Sequence, residues 1–395
     1  MTIEVDVTHR LGAFTLDVRF VSEGRLTALF GQSGSGKTSL VNVISGLIRP
    51  GRGRIVVDGT TLVDTERRIF IPTWRRRIGY VFQEGRLLPH LTVRQNLTFG
   101  RRFTPAAERK IPFDDVVNLL GIDKLLQRRP GRLSGGEKQR VAIGRAFLSS
   151  PRLLLMDEPL AALDEERKGE IEEYIETLRD RYDIPIVYVS HSLSEVSRLA
   201  NKVVVLRNGR LLVLGDPAEV LSRAELVPHD AVDEAGALIE ARICDHDTAF
   251  GLTMLETKAG PMRVPWLDLP IGIVVRVRLR ARDVMVANVA PAGLSALNVF
   301  AGKVIELRKS GETDVEVDID CNGVTVSARL TRKSVEILGL APLMPVYAIL
   351  KAVTMDKSTL ARSPLSAQLR GADLGVRQQG DTSSGGAKAP QGADT

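Results

Sequence analysis

The 395-residue sequence predicts two fold classes in succession, an α/β domain on a largely parallel sheet and then small all-β barrels. Three observations predict this. Short apolar strands alternate with helical stretches as far as about residue 221. Beyond about residue 227 the pattern becomes strict alternation, as in Val274-Val275-Arg276-Val277-Arg278-Leu279-Arg280 and Asp314-Val315-Glu316-Val317-Asp318-Ile319-Asp320. The length, with 44% hydrophobic and 26% charged residues, suits two or three globular domains with a large core.

Taken in order, Val56-Val57-Asp58-Gly59-Thr60-Thr61-Leu62 reads as a hairpin turning on Asp58-Gly59. Ile171, Tyr174, Ile175, Leu178 and Tyr182 recur at three- and four-residue steps and mark an amphipathic helix with acidic residues on its outer face. It leads into a buried strand, Ile184-Pro185-Ile186-Val187-Tyr188-Val189. Val203-Val204-Val205-Leu206 and Arg210-Leu211-Leu212-Val213-Leu214 then flank a second hairpin turn, Asn208-Gly209. The alternating half divides at Pro291-Ala292-Gly293. The domains read in this way are 1–226, 227–290 and 291–357, followed by a tail at 358–395 that is Gly/Ser/Gln/Ala-rich from about Ser363 and expected to be disordered.

Composition excludes several classes. The excess of 54 Lys+Arg over 48 Asp+Glu is too small and too interspersed to indicate nucleic-acid binding. Basic clusters at Arg67-Arg68, Arg75-Arg76-Arg77, Arg101-Arg102 and Arg128-Arg129 read first as solvated faces, and second as attraction to an anionic membrane leaflet. No run of about 20 apolar residues offers a membrane span, and the N-terminus lacks the basic head and apolar core of a signal peptide. Cys244 and Cys321 are too few for a disulfide framework; they point to a reducing cytosol and to inert thiols in the core.

Three motifs carry chemistry. Arg25-Leu26-Thr27-Ala28-Leu29-Phe30 is a strand that runs into Gly31-Gln32-Ser33-Gly34-Ser35-Gly36-Lys37-Thr38, the phosphate-binding pattern G-x-x-x-x-G-K-[ST]. Its glycines let consecutive N–H groups face phosphate oxygens, with Lys37 placed for the β- and γ-phosphates and the Thr38 hydroxyl for Mg²⁺. Downstream, Leu153-Leu154-Leu155-Met156-Asp157 is an apolar strand ending in a carboxylate suited to orienting Mg²⁺, and Glu158 follows as a base for attacking water. In Leu133-Ser134-Gly135-Gly136-Glu137-Lys138-Gln139-Arg140, Ser134 and Glu137 form a capping box, and the Gly-Gly pair exposes the amide-rich helix end to an anion.

These residues resemble the signature loop of the ATP-binding cassette family, and the first 220 or so residues agree with that family in order and spacing. Gln83, in Tyr80-Val81-Phe82-Gln83, matches the family's glutamine loop, which senses Mg²⁺ and contacts the transmembrane partner. Ala162-Leu163-Asp164 matches the loop that crosses the dimer interface, and His191, in Val189-Ser190-His191, matches the switch histidine. The resemblance implies ATP and Mg²⁺ as cofactors. It implies Glu158, His191, Lys37 and Gln83 as catalytic residues and Thr38, Gln83 and Asp157 around the metal. Gly31, Gln32, Ser33, Gly34, Ser35, Gly36, Lys37, Thr38 and Ser39 would meet the nucleotide in one copy, and Ser134, Gly135 and Gly136 in the other. A head-to-tail homodimer of cassettes then closes on two ATP molecules and reopens on hydrolysis. Phe14 and Leu11 are the candidates for stacking on adenine.

The run Pro291 to Asp356 resembles the small Mop/TOBE barrel, an OB-like regulatory domain that follows the cassette in molybdate importers. Ser295-Ala296-Leu297-Asn298 with Gly302, then Gly323-Val324-Thr325-Val326, then Leu350-Lys351-Ala352-Val353 carry this resemblance. It implies molybdate or tungstate bound at the C-terminal domain by Ser295, Asn298 and Lys351, although Leu297 stands where that family commonly has arginine. Past Gln83 the stretch Glu84-Gly85-Arg86-Leu87-Leu88-Pro89-His90 continues as in the molybdate branch. Leu87, Leu88 and Pro89 read either as the floor of a groove for a short permease helix or as local core.

The reading is an ATP-hydrolysing subunit of a membrane importer for molybdate or tungstate, held peripherally at the cytoplasmic face of the inner membrane. Its implied partners are transmembrane permease subunits and, indirectly, an extracytoplasmic substrate-binding protein, with no nucleic acid. The alternatives are an importer ATPase for sulfate, iron or sugar, and a non-transport cassette ATPase.

Overall fold

The computed structural model describes residues 1–161, 163–221, 236–310, 313–355 and 360–362. The first hairpin, β1 (Thr2–Leu11) and β2 (Phe14–Glu23), leads to β3 (Leu26–Phe30) and α1 (Lys37–Ser45). An outer antiparallel arm follows: β4 (Arg52–Val57), β5 (Thr60–Asp64), β6 (Ile69–Phe70) and the short α2 (Thr73–Arg76). After β7 (Ile78–Val81) comes a helical region, α3 (Val93–Phe99), α4 (Phe113–Leu119) and α5 (Gly135–Leu148). The remainder is β8 (Leu153–Asp157), α6 (Glu165–Arg181), β9 (Ile186–Ser190), α7 (Leu193–Leu199), β10 (Lys202–Arg207), β11 (Arg210–Gly215) and α8 (Pro217–Leu221).

These strands make one 11-stranded sheet in the order β6-β5-β4-β1-β2-β11-β10-β3-β9-β8-β7, in which β10, β3, β9, β8 and β7 run parallel. Strands β3, β8 and β9 are buried at every residue, as a parallel sheet covered on both faces requires. Their side chains divide by parity. Leu154, Met156, Ile186 and Tyr188 enter one core, and Leu153, Leu155, Val187 and Val189 enter the other. The loops at the carboxyl ends of these three strands carry the phosphate loop, Glu158 and His191, the edge of an open α/β sheet where ligands bind. Asp58 and Asn208 take left-handed φ angles of 43° and 50°, each followed by a positive-φ glycine, so both expected hairpin turns form.

Arg76 is wholly buried at the end of α1. It donates through Nη1 to Val43 O and Ile44 O in the last turn of α1 and through Nε to Ile71 O, and burial pulls its pKa down to about 10. The expected acidic outer face of α6 is corrected by Glu172 and Glu176, both buried, because Arg198 of α7 donates to Glu172 Oε2 at 2.8 Å and to both Glu176 oxygens at 3.1 Å.

The second half comprises β12 (Gly236–Asp247), β13 (Leu252–Thr257), β14 (Gly260–Pro265), β15 (Val274–Arg280), β16 (Met285–Ala287) and β17 (Asn298–Ser310). It ends with β18 (Asp314–Cys321), β19 (Val324–Thr331), α9 (Arg332–Leu338), β20 (Pro345–Leu350) and β21 (Leu360–Arg362). Two five-stranded antiparallel sheets form, β14-β13-β12-β15-β21 and β16-β20-β17-β18-β19. The expected division at 291 is crossed in both directions. β16 precedes it yet pairs with β20, and β21 lies in the expected tail yet pairs with β15. One hydrophobic core, including Ile239, Leu255, Val277, Phe300, Val317 and Ala348, serves both sheets. The expected 226/227 boundary and the tail from 363 onward lie outside the described residues.

Asn298 joins the two sheets. It is wholly buried, its Oδ1 accepts from Arg263 N at 2.6 Å, and its Nδ2 donates to Arg263 O at 2.9 Å, which covers the outer edge of β14. The expected oxyanion role of Asn298 is therefore corrected, since its amide is committed to backbone. Asn298→Ala removes both partners of the part-buried Arg263 N–H and C=O and should lower stability by about 1–3 kcal/mol, read by urea unfolding. Cys321 is a core thiol, pushed up to about 11 by burial, but Cys244 is exposed, because strand alternation places it on the outward face of β12 with Glu240 and Arg242. The barrels touch the cassette through Arg276, whose Nη1 donates to Ala200 O at 2.6 Å, just past α7.

Candidate active site

The loop after β3 begins at Gly31, with φ of 150°, where a Cβ would fall 2.3 Å from Leu206 O, so only glycine fits. It ends at Gly36, φ 102°, which is the N-cap of α1 and lies against the Phe14 ring. Between them Ser35 O accepts from Gly209 N at 3.0 Å, tying the loop to the second hairpin turn. Phe14, one of the two candidates for adenine, thus packs beneath the loop.

Lys37 is buried, and its Nζ donates to Gly31 O at 2.7 Å and to Gln32 O at 2.9 Å, so the ammonium lies folded along the inside of its own loop. Ser35 Oγ is buried with no hydrogen-bond partner among the described residues. A buried hydroxyl without a partner is costly, and a phosphate oxygen in the loop supplies the acceptor it lacks. The loop, its N–H groups and this orphaned hydroxyl therefore fit a nucleotide phosphate.

Thr38 Oγ1 donates to Asp157 Oδ1 at 3.2 Å, and Tyr80 Oη donates to Asp157 Oδ2 at 3.3 Å. Burial pushes the Asp157 carboxyl up, and the bonds from Thr38 and Tyr80 oppose that push. Tyr80 stacks on Phe82 with ring centres 4.0 Å apart, Arg86 lies over the Phe82 ring, and Gln83 follows, exposed. Thr38 and Asp157 present hard oxygen ligands side by side, the donor chemistry Mg²⁺ selects.

Glu158 has φ of 45°, a strained conformation for a non-glycine residue, held by its N–H to Val189 O at 3.1 Å. From this backbone the side chain reaches His191, whose Nδ1 is 3.3 Å from Glu158 Oε1. Lys37, Thr38, Asp157, Glu158 and His191 are thus brought to one edge of the sheet. Tyr80 belongs with them and was not assigned a role from sequence.

Ser134 and Glu137 form the expected reciprocal cap, Ser134 N donating to Glu137 Oε2 at 2.7 Å and Glu137 N donating to Ser134 Oγ at 3.3 Å. Ser134 and Gly135 are exposed, and among the described residues no hydrogen bond joins them to the loop at 31–38. Leu163 packs on the core, while its expected neighbour in the crossing loop, Ala162, lies outside the described residues. Leu87 also packs on the core, the Leu88 backbone is held by buried Asn96, and Pro89 is exposed. A larger cleft, about 1130 Å³, lies away from this chemistry between cassette and barrels, lined by residues including Arg25, Lys202, Asp216, Glu240 and Arg276.

Comparison with known proteins agrees with this geometry. The model of the ABC transporter family matches residues 17–161, and that of the TOBE domain matches 294–356. The molybdenum import ATP-binding protein ModC of Mesorhizobium japonicum is 55% identical over 358 residues, 91% of this chain and 97% of its own. The chain belongs to the ModC family of ABC transporter ATPases. Members from Rhizobium etli and Rhodospirillum rubrum are 53% and 46% identical, over 90% and 91% of this chain and 100% and 98% of theirs. As a ModC-family ATPase the chain binds ATP. No helix among the described residues is long and apolar enough to cross a membrane.

Proposed function

We propose that this chain is the ATP-hydrolysing subunit of a membrane importer for molybdate or tungstate. It works as a head-to-tail homodimer on two transmembrane permease subunits at the cytoplasmic face of the inner membrane. The observation that carries the cargo reading is 55% identity across 97% of a molybdenum import ATP-binding protein. An extracytoplasmic substrate-binding protein delivers the cargo to the permease.

In this reading the helix end at Ser134, Gly135 and Gly136, exposed at Ser134 and Gly135 and not bonded to the loop at 31–38 among the described residues, completes the nucleotide site of the second copy. Lys37 releases the Gly31 and Gln32 carbonyls and pairs with phosphate oxygens. Thr38, Asp157 and Gln83 would hold Mg²⁺, which would supply neutralisation of phosphate charge. Glu158 accepts a proton from the attacking water, and His191, within hydrogen-bonding reach of Glu158, steadies the γ-phosphate. A strain lacking this chain should lose uptake of labelled molybdate at nanomolar concentration and regain it with the wild-type chain. Loss of sulfate uptake in place of molybdate uptake overturns the cargo.

The same reading places an oxyanion near Ser295 and Lys351. Both are exposed and lie at one end of the β17–β20 pair, where Asn298 opposes Leu350. Calorimetric titration of the full chain should give heat with molybdate and tungstate and none with sulfate. Absence of heat with all three overturns this site.

A further inference from the structure

His191 follows the last residue of β9 and precedes the cap of α7, and its own side chain is half exposed. The turn that carries it is held from beneath. Tyr188 Oη and Ser190 Oγ both donate to Glu195 Oε2, at 2.7 and 2.8 Å. Ser190 Oγ in turn accepts from Ser192 N at 2.9 Å. The residues immediately before and after His191 are therefore tied, through one hydroxyl, to one carboxylate oxygen. Tyr188, Ser190 and Glu195 are all buried, so water does not compete for these bonds. Glu195 is itself fixed in the first turn of α7, where Ser192 Oγ accepts its N–H.

We propose that Glu195 is a positioning residue for His191: as the acceptor, among the described residues, of both the Tyr188 and Ser190 hydroxyl protons, it fixes the backbone on both sides of His191 and aims the imidazole toward Glu158 and the γ-phosphate. This rests on the reading of His191 as the group that steadies that phosphate. The requirement is for an acceptor oxygen at the Oε2 position, and the amide oxygen of a glutamine meets it. Orientation matters because a displacement of about 1 Å at a reacting site costs roughly a hundredfold in rate.

The test is steady-state ATP hydrolysis by the purified full chain with varied Mg·ATP. Glu195→Ala and Ser190→Ala should each lower kcat by roughly ten- to a hundredfold with KM for ATP changed less than about twofold. Glu195→Gln should recover most of the loss. Ser190→Ala keeps the Tyr188 bond to Glu195 and carries the test if Glu195→Ala does not fold. Wild-type kcat in Ser190→Ala, a loss expressed in KM alone, or Glu195→Gln as impaired as Glu195→Ala overturns the proposal. His191→Ala is measured in parallel. If it hydrolyses ATP normally, the reading of His191 fails and the proposal with it; if it is inactive while Ser190→Ala is fully active, the proposal alone fails.

Discussion

Glu158→Gln is expected to lower ATP hydrolysis by about three orders of magnitude, within the range for loss of a general base, while ATP still binds and the paired form accumulates. The substitution preserves shape and keeps an oxygen toward His191 Nδ1, now 3.3 Å from Oε1. It removes only the capacity to accept a proton. The left-handed backbone at residue 158 and its bond to Val189 O do not depend on the carboxylate, so the loop should hold its position. Single-turnover hydrolysis and size-exclusion chromatography with ATP check both halves. Unchanged hydrolysis refutes Glu158 as the base.

Arg198→Met should cost about 3–5 kcal/mol of stability at pH 8, because it strands the buried carboxylates of Glu172 and Glu176 without their shared guanidinium. The penalty should shrink in acid, where Glu172 takes up a proton. In the wild-type chain burial already pushes Glu172 up to about 7, from an ordinary value of 4.5, with Arg198 opposing. The folded state therefore holds a proton there that the unfolded state has lost. The stabilisation this gives is fully present below about pH 4.5 and is lost as pH rises through about 7, a change of up to about 3 kcal/mol. Glu172→Gln should flatten the wild-type dependence. Urea unfolding at pH 5.5 and pH 8 measures both effects, and an Arg198→Met penalty equal at the two pH values would contradict them.

What the sequence disclosed and what it concealed divide along the range of the interactions. The phosphate loop, the strand ending in Asp157-Glu158 and the capped helix at Ser134 are each specified by a few adjacent residues, so their chemistry was legible. Tyr80 and Glu195 act through tertiary contacts with Asp157 and with the turn around His191, and nothing local marks them. Glu172 and Glu176 lie on a face that composition assigns to solvent, and their burial depends on Arg198, 26 and 22 residues further on. Asn298 sits in a short motif suggestive of anion binding, yet the nearby edge of β14 takes both of its polar atoms. Pro291-Ala292-Gly293 is a genuine break in pattern. It does not divide the core, because strand exchange leaves no local trace.

That exchange also sets an order of events during synthesis. β15 waits for a neighbour, with Val275 opposite Arg362, and closing that gap spans most of the accessory region. The outer edge of β14 waits likewise for Asn298. A ribosome releasing the chain from its N-terminus thus delivers a sheet with open edges, and unpaired strand edges in emerging chains are prone to association. Long-range strand pairing of this kind is slow to form. The cassette, whose described strands all lie before residue 216, has every sheet partner in hand well before the barrels do. The motor half is able to mature first, and the accessory half completes only when almost the whole described chain has emerged.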